Sequence, residues 1–310
     1  MKIFNSISDF NLEKSVVTIG AFDGLHIGHR FLISQLKERA QSYGAQSVLL
    51  TFKTHPQVFF NPEGDFKVLT TNEEKIEHLN MLGIDALVFM DFDHSIATLQ
   101  YCDFVKQILV QKLNAKAIIM GYDHHFGKGG EGTYSLVKSC AQEVGVDVFQ
   151  VAEHNLGEHL SSSQIRKALF AGDVERANRF LGYNYGFTAM VVKGRQIGRT
   201  LGFPTANFSL LQGRKLLPAM GVYVVRVYVD GTPHFGILNY GVKPTVDSVY
   251  VPSAEAFIFD FAADVYGKQL RVEFLAHIRN ERKFDSLDAL RSQIMDDKKV
   301  AEGIIERGKF

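Results

Sequence analysis

The stretch Val16–Arg30, which reads VVTIGAFDGLHIGHR, decides the fold of the first half of the chain. It opens with an apolar run typical of a buried strand, and a helical pattern begins at Phe31. The glycine-containing turn between them predicts a strand that passes directly into a helix. Such a strand–turn–helix passage is how a βαβ unit opens.

Apolar runs of the same kind recur along this half at 47–52, 86–90, 117–121 and 147–151, with helical patterns between them. Strands that alternate with helices predict an α/β domain built on a Rossmann-like parallel sheet with helices on both faces. Such sheets bind ligands beyond the carboxyl ends of their strands. The clearest helical pattern is an i, i+3, i+4, i+7, i+8 stripe made by Tyr101, Phe104, Val105, Ile108 and Leu109.

The pattern changes near Gly186. Runs rich in Val, Tyr and Phe follow one another there, separated by turn residues, at 186–193, 222–230, 234–240, 254–261 and 269–275. They predict a small antiparallel β-barrel, closed by a terminal helix with Leu287, Leu290 and Ile294 on one face. Two short helical patterns at 162–170 and 173–181 lead into it. We therefore expect two domains, 1–184 and 185–310.

The composition narrows the class of protein. The 310 residues include 34 Lys and Arg against 34 Asp and Glu, and 46% are hydrophobic. A balanced charge without basic runs predicts no nucleic-acid partner. No apolar stretch reaches the roughly 20 residues of a membrane span, and no leader pattern opens the chain, so a cytoplasmic protein without a membrane partner is expected. Cys102 and Cys140 form no metal or redox motif, which predicts free thiols.

The two histidines of the opening stretch point to an anion site. The amino end of a helix presents unpaired N–H groups and a partial positive charge, and phosphate is its usual guest. Gly24 and Gly28 would let the backbone approach a ligand closely, and His26 and His29 would add side-chain donors. Nothing nearby supplies a third metal ligand, so a metal site is not expected at this pair.

The pattern G-x-F-D-G-x-H-x-G-H in this stretch resembles the ATP signature of the nucleotidyltransferase superfamily, in the form typical of prokaryotic FAD synthetases. The resemblance implies adenylyl transfer, in which a phosphate attacks the α-phosphorus of ATP and pyrophosphate leaves. Catalysis would then be positioning and charge stabilisation, without a protein nucleophile. The residues that the resemblance assigns to ATP here are Gly20, Phe22, Asp23, Gly24, His26 and His29.

A second segment separates two families that share the H-x-G-H pattern. Class I aminoacyl-tRNA synthetases carry a lysine-rich second signature, whereas here the region reads SSSQIR at 161–166. It resembles the S-S-T-x-I-R motif of FAD synthetases, with Ser163 in place of threonine. Hydroxyl groups at a helix start either cap the helix or bind phosphate. The resemblance assigns Ser162, Ser163 and Arg166 to ATP.

Two further segments resemble the acceptor side of the same family. TFKTHP at 51–56 matches T-F-x-P-H-P with Thr54 replacing a proline, and GYDHHFG at 121–127 resembles G-x-D-F-R-F-G. In the second segment His124 and His125 stand where Phe and Arg are usual. A following G-x-G-x-x-G match at 127–132 lies outside the first βα turn and is interpreted as a mobile loop. The residues that the resemblance places near the flavin are His55, Asp123, His125 and Phe126.

The second domain opens with GRQIGRTLGFPTAN at 194–207. Thr205 and Asn207 point to one side of an extended chain and offer two hard oxygen ligands to Mg²⁺. The segment resembles the riboflavin kinase signature. The residues that the resemblance assigns to ATP in this domain are Gly194, Arg195, Gly198, Arg199, Gly202, Pro204, Thr205 and Asn207.

More of the second domain agrees with riboflavin kinases, including NYGVKPT at 239–245, in which Lys243 stands where Arg is usual. Glu255 opens a strand at the position where that family places its catalytic carboxylate, and a general base is what an attacking primary alcohol needs. Asn239, Arg279 and Phe284 would border the flavin, although the last two could equally anchor the final helix.

The resemblance to bifunctional riboflavin kinase/FAD synthetases covers almost the whole chain. It implies that the second domain phosphorylates riboflavin to FMN and that the first adenylylates FMN to FAD, with ATP and Mg²⁺ serving both. Small molecules would be the partners of such a chain. Two alternatives stay open: a nucleotidyltransferase that acts on another acceptor, and a flavin-binding module that has lost its chemistry.

Overall fold

The fold is described from a computed structural model, for residues 1–152, 160–194, 198, 201–210, 213–244 and 250–308. The chain divides into two compact units, Met1–Ser162 and Ser163–Phe310. Among the described residues, no helix combines the length and the apolar character that crossing a bilayer requires.

The first unit is built on a six-stranded sheet in the order β1-β4-β3-β2-β5-β6, with every neighbouring pair parallel. The five apolar runs predicted as strands are confirmed. The edge strand β1 was missed because it is only 3 residues long and largely exposed. The strands are β1 Lys2–Phe4, β2 Ser15–Ile19, β3 Gln46–Phe52, β4 Ala86–Met90, β5 Ala115–Met120 and β6 Asp147–Gln150.

Helices connect these strands and cover both faces of the sheet. Along β2, Val17 and Ile19 belong to one core cluster, which includes Leu109, whereas Val16 belongs to another, which includes Leu36. This arrangement confirms the predicted α/β layering. The helices are α1 Ile27–Ser42, α2 Pro56–Phe60, α3 Asn72–Leu82, α4 His94–Ala97, α5 Tyr101–Asp103 and α6 Tyr134–Gln142.

The apolar stripe that begins at Tyr101 is helical, but most of it is not α-helix. From Phe104 to Val110 the chain forms a π-helix, and its wider turn continues in the bonds from Gln111 N–H to the Lys106 carbonyl and from Leu113 N–H to the Ile108 carbonyl. The stripe still buries Phe104, Val105 and Leu109 in the core.

The second unit begins with α7 (Ser162–Phe170, whose first residue belongs to the first unit) and α8 (Val174–Leu181). Six antiparallel strands then close into a barrel in the order β10-β11-β8-β7-β12-β9, which confirms the predicted architecture. The elements are β7 Gly186–Val192, β8 Thr205–Phe208, β9 Gly221–Val229, β10 Thr232–Pro244, β11 Tyr250–Ile258, β12 Gln269–Asn280 and the terminal helix α9 Leu287–Arg307.

Aromatic rings from several strands fill the barrel. The Phe187 ring lies 5.5 Å from that of Phe208 and 5.8 Å from that of Phe274. Helix α9 packs outside, where Ile294 and Ala301 join an apolar cluster with strand residues. Leu287, predicted on the same buried face, is 57% exposed, because it is the first residue of the helix and lies beyond the end of that cluster.

The expectation of free thiols is wrong for this structure. Cys102 and Cys140 form a disulfide that joins α5 to α6 over 38 positions of sequence. No local sequence pattern marks the pairing, because the two helices meet only through the fold. The disulfide brackets the glycine-rich segment 127–132, which is wrapped around Tyr101: a Cβ at Gly127 would lie 2.7 Å from the Tyr101 Cα.

Reduction of this disulfide should destabilise the first unit. Closing a loop of this length is worth about 2–4 kcal/mol, because it restricts the unfolded chain. Thermal unfolding of the wild type should therefore shift to lower temperature with reductant. The double variant Cys102→Ala/Cys140→Ala should melt at a temperature that reductant does not change. Two titratable thiols in the unreduced native protein would contradict the pairing.

Candidate active sites

The first candidate site lies where three segments leave the same edge of the parallel sheet. β2 ends at Ile19 between its neighbours β3 and β5, which end at Phe52 and Met120. The chain moves from β2 to β3 on one side and later returns to β5 on the other. This reversal is the point at which open α/β sheets bind ligands. The predicted histidine loop is therefore flanked by both predicted acceptor segments.

Asp23 fixes the conformation of the histidine loop. Its buried carboxylate accepts hydrogen bonds from the backbone N–H of Leu69 (2.8 Å) and Thr70 (3.0 Å). The hydroxyl of Thr70 in turn accepts from the Gly24 N–H at 3.1 Å. Phe22 and Leu25 both have left-handed backbone, with φ of 48° and 40°, which is unfavourable for residues with a side chain. The loop is thus a strained shape held by buried hydrogen bonds.

His26 is the N-cap of α1. Its Nδ1 accepts a hydrogen bond from the His29 N–H at 3.4 Å, so the ring proton belongs on Nε2. The absence of a side chain at Gly28 leaves space for this cap, because a Cβ there would lie 3.2 Å from the His26 Nδ1. Gly28 therefore makes room for the imidazole, and close approach of a ligand to this glycine stays a prediction. His26 is left with an N–H donor on the ring edge opposite the cap.

The two imidazoles of the pair are stacked and uncharged. Their ring centroids lie 3.7 Å apart, and the Phe22 ring packs 5.1 Å from that of His29. Burial lowers the pKa of His26 to about 4, despite the nearby carboxylates of Asp123 and Asp23. Burial, His26 and Lys75 hold the pKa of His29 well below its usual value. Both rings can donate an N–H hydrogen bond to a phosphate oxygen without carrying a charge at neutral pH.

The serine segment meets the loop at one residue. The Ser162 hydroxyl donates to the Asp23 carbonyl at 2.8 Å, so it supports the loop backbone. Ser163 is exposed and Arg166 half-buried, and both belong to the second unit. Their assignment to ATP stays a prediction.

The predicted flavin residues of this unit fall into two kinds. His55 caps α2 by accepting from the Gln57 N–H at 3.1 Å, and its ring lies 4.6 Å from that of Phe66. Asp123 and His125 are exposed, and the His125 Nδ1 contacts the Asp123 carbonyl at 2.9 Å. Phe126 is only 8% exposed and packs on Phe104, so it supports the wall of the site from the core.

Sequence reasoning missed other side chains at this edge. Lys75 is 5% exposed and lies against the histidine loop.

A set of aromatic rings in edge-to-face contact also follows β3 and β4, and Phe60 is 66% exposed there. The signal for that set was the pair of adjacent phenylalanines after Pro56. Its members are Phe52, Phe59, Phe60 and Phe92.

The second candidate site is organised by strand register. Arg279 pairs with Val222, Val222 with Asn239, Asn239 with Glu255, and Glu255 with Asn207. Residues directly opposite each other on neighbouring strands share one face of a sheet. Five strands therefore place these side chains in one cross-strand row. The predicted kinase residues of this row are brought together from positions more than 70 apart in sequence.

The oxygen ligands predicted for a metal lie at the end of this row. The Thr205 Oγ1 is 3.4 Å from the Glu255 Oε2. A Cβ at Gly194 would lie 2.5 Å from the Asn207 Oδ1, so glycine is needed for the close approach of that chain. No cluster of three or more His, Cys, Asp or Glu suited to a metal exists in the described ranges. Hydroxyl, amide and carboxylate oxygens nevertheless fit Mg²⁺, which keeps several waters and takes few protein ligands.

A cavity of about 300 Å³ opens in front of the row. Phe257, Ile237 and Leu290 give it apolar walls, and Thr205, Asn239 and Glu255 supply polar groups. Such a mixture suits a flat aromatic ligand with a polar end. Gly198, Arg279 and Phe284 also line it, whereas Gly202 and Pro204 do not, and the roles predicted for these residues stay predictions. Arg195 and Arg199 lie outside the described residues.

Arg279 is held in this wall by the terminal helix. Its Nε and Nη2 donate to the Asp297 carboxylate at 2.9 and 2.8 Å, a two-point contact. Gln293 adds a bond to the same carboxylate at 2.7 Å. The guanidinium also stands 5.7 Å from the Phe284 ring centroid. Arg279 therefore anchors the final helix and also lines the cavity, whereas its role beside a flavin stays a prediction.

Two family models match the chain. The FAD synthetase model covers residues 9–165, and the riboflavin kinase model covers residues 181–305. These spans hold the first and second candidate sites respectively, apart from Arg166, which follows the first span directly.

Curated relatives match along nearly the whole length. The bifunctional riboflavin kinase/FMN adenylyltransferase of Bacillus subtilis is 36% identical over 294 residues, 93% of this chain and 92% of that protein. The protein of the same description from Escherichia coli K12 is 34% identical, over 96% and 95%. A solved structure described as a macrolide-efflux protein from Streptococcus pneumoniae is 31% identical, with a TM-score of 0.88 over 97% and 98% of the chains. That description concerns the pneumococcal protein, and what the two chains share is the fold.

Removing the Asp297 carboxylate should destabilise the second unit. Asp297→Ala leaves the Arg279 guanidinium without its partner in a region where Asp297 is 3% and Arg279 21% exposed. Breaking a buried pair typically costs about 3–5 kcal/mol, and residual solvent access reduces this to about 2–3 kcal/mol. Urea unfolding measures the change. Asp296→Ala, at the exposed neighbouring position, is the control, and equal stability of both variants would contradict the anchoring role.

Proposed function

Because the chain belongs to the family of bifunctional riboflavin kinase/FMN adenylyltransferases, we propose that each unit carries one of the two reactions. The protein phosphorylates riboflavin to FMN and transfers the adenylyl group of ATP to FMN. The observation that carries the residue assignment is the cross-strand row in front of the cavity, which joins Asn239, Glu255 and Asn207. The proposed domain bounds are 1–184 for adenylyl transfer and 185–310 for phosphorylation, so that α7 and α8, which lie almost entirely in the second unit, are counted with the adenylyl-transfer domain.

Adenylyl transfer is assigned to the histidine loop. An oxygen of the FMN phosphate attacks the α-phosphorus of ATP, the bond to the β-phosphate oxygen breaks, and pyrophosphate leaves. The His26 Nε2–H, the His29 ring and the first turn of α1 stabilise the charge on the phosphate oxygens. Neutral imidazoles suit this task, because a donor is needed and no proton has to be removed from the attacking phosphate. Gly20, Phe22, Asp23 and Gly24 give the loop its shape.

Riboflavin phosphorylation is assigned to the barrel. The flavin ring enters the cavity between the apolar walls, and the ribityl 5′-hydroxyl points to Glu255, which takes its proton as the oxygen attacks the γ-phosphorus of ATP. ADP leaves. The Asn239 amide, next to Glu255 in the row, orients the hydroxyl or the flavin by hydrogen bonding. Arg279 and Phe284 border the ring at the other side of the cavity.

Mg²⁺ is proposed for both reactions. In the barrel the Thr205 hydroxyl and the Asn207 amide oxygen would hold it, and the ion would neutralise the ATP phosphates.

The substrates are the small molecules ATP, riboflavin and FMN. A cytoplasmic location without nucleic-acid or membrane partners is proposed from the ATP supply that both reactions need and from the balanced charge.

Exchanging single residues should separate the two reactions. Glu255→Gln should lower FMN formation from riboflavin by about 10²–10⁴-fold through loss of the base, and leave FAD formation from added FMN unchanged. His29→Ala should lower FAD formation by about 10²–10³-fold through loss of a phosphate donor, and leave the kinase unchanged. A chromatographic time course with riboflavin, ATP and Mg²⁺ separates substrate and both products.

Two control variants test whether these losses are local. Glu306→Gln changes an exposed carboxylate of the terminal helix that does not line the cavity, and His94→Ala changes an exposed imidazole of the first unit. Both should stay within about threefold of wild type, since neither touches a reacting group. If a folded Glu255→Gln protein lost both activities, the assignment of one reaction to each unit would be wrong. Wild-type protein that forms neither product would overturn the proposed chemistry itself.

A further inference from the structure

A buried lysine behind the histidine loop has no part in the chemistry described so far. Lys75 lies in the first turn of α3 and is 5% exposed. The capping box formed by Thr71 and Glu74 fixes the start of this helix, with N–H···O distances of 3.0 and 3.2 Å in the two directions. Lysine is rarely buried to this extent unless its charge is partnered.

The ammonium group of Lys75 is directed at the loop backbone. Its Nζ donates to the Ala21 carbonyl at 2.8 Å and to the Thr51 hydroxyl at 3.1 Å. The Thr51 hydroxyl in turn donates to the same Ala21 carbonyl at 3.2 Å. Ala21 lies between the end of β2 and the left-handed residue Phe22. Lys75 therefore ties the loop to β3 and α3 at the point where its strained segment begins.

The other end of the strained segment is tied independently. Asp23 accepts backbone bonds from Leu69 and Thr70, and its own carbonyl accepts from Ser162. Asp23 also supplies the negative charge that opposes the loss of the Lys75 proton. The loop is thus held by a cationic side chain, Lys75, before Phe22 and by an anionic side chain, Asp23, after it. Removing the Lys75 ammonium group leaves the Ala21 carbonyl with only the weaker hydrogen bond from the Thr51 hydroxyl.

Lys75 also supplies the charge that the histidines lack. His26 and His29 are neutral at physiological pH, whereas the Lys75 ammonium lies close enough to His29 to lower its pKa further. Burial lowers the pKa of Lys75 itself to about 8, and Asp23 opposes this change. The charged and titratable groups around it are Asp23, His29 and Glu74, the last engaged in the capping box. A fixed positive charge behind the donors favours binding of an anionic triphosphate.

We propose that Lys75 is a positioning residue for adenylyl transfer, which acts by holding the Ala21 carbonyl and with it the loop that aims His26 and His29. This inference rests on the proposed function of the loop and adds to it a residue outside the H-x-G-H pattern. Lys75 acts on the substrate through the loop and through its charge. Its loss should therefore affect FAD formation and spare FMN formation.

The test compares Lys75→Met, which keeps most of the apolar length of the side chain without its charge, with Lys75→Arg, which keeps the charge. Lys75→Met should lower kcat/KM for ATP in FAD formation by about 100-fold, as misplacing catalytic groups by about 1 Å does. Riboflavin phosphorylation, measured in the same tube, should not change. Lys116→Met, at an exposed position on β5, is the control and should behave as wild type.

The pH profile separates this role from a purely structural one. The pH dependence of kcat/KM for ATP reports groups of the free enzyme. Lys75 is charged below its pKa of about 8 and neutral above it, so wild-type kcat/KM should fall as the pH rises through about 8. Lys75→Arg stays charged and should lose this alkaline fall, while keeping more activity than Lys75→Met.

Two results would overturn the inference. One is a Lys75→Met protein that phosphorylates riboflavin normally and forms FAD within about threefold of wild type. The other is an alkaline fall in Lys75→Arg at the same pH as in wild type, which decides the question even if Lys75→Met does not fold. A wild type that forms FMN and no FAD would instead refute the proposed function of the loop, so the two failures are distinguishable.

Discussion

Backbone pairing between strands is the constraint on which both sites depend. In the barrel, register alone places Arg279, Val222, Asn239, Glu255 and Asn207 side by side. A slip of one residue in any of these ladders would turn Glu255 or Asn239 away from the cavity, because successive side chains of a strand point to opposite faces. In the first unit, parallel pairing brings the ends of β2, β3 and β5 to one edge. Closure of the barrel and burial of the sheet on both faces protect these registers.

Buried hydrogen bonds then determine the backbone conformation of the first site. The histidine loop has an unfavourable backbone, and Asp23, Thr70 and Lys75 hold it by hydrogen bonds shielded from water. These hydrogen bonds hold the loop in one conformation, because a buried polar group that loses its partner costs free energy. The stacked imidazoles are neutral for the same reason: burial disfavours their charged forms. The strained loop backbone, the neutral imidazoles and the buried Lys75 ammonium thus all depend on burial of this site.

The sequence predicted the secondary-structure elements well, and the contacts between motifs poorly. Apolar runs identified the long strands, and the H-x-G-H and P-T-A-N patterns identified residues that the fold places at strand ends and in the cross-strand row. Lys75 and Asp297 were missed, because their partners are 54 and 18 positions away and no local pattern marks them. The Cys102–Cys140 pairing was missed because it depends on how α5 meets α6. Phe126 turned out buried, since an aromatic after a strand can face either the core or the ligand.

The central claim is that the two reactions belong to separate sites, one in each unit. Mixing two inactivated variants tests it most directly. Glu255→Gln and His29→Ala, each folded, are incubated with riboflavin, ATP and Mg²⁺, alone and in equal amounts together, and FAD is measured by chromatography. The account predicts FAD from the mixture and almost none from either variant alone, because FMN made by one protein is adenylylated by the other. A mixture as inactive as the single variants would contradict it.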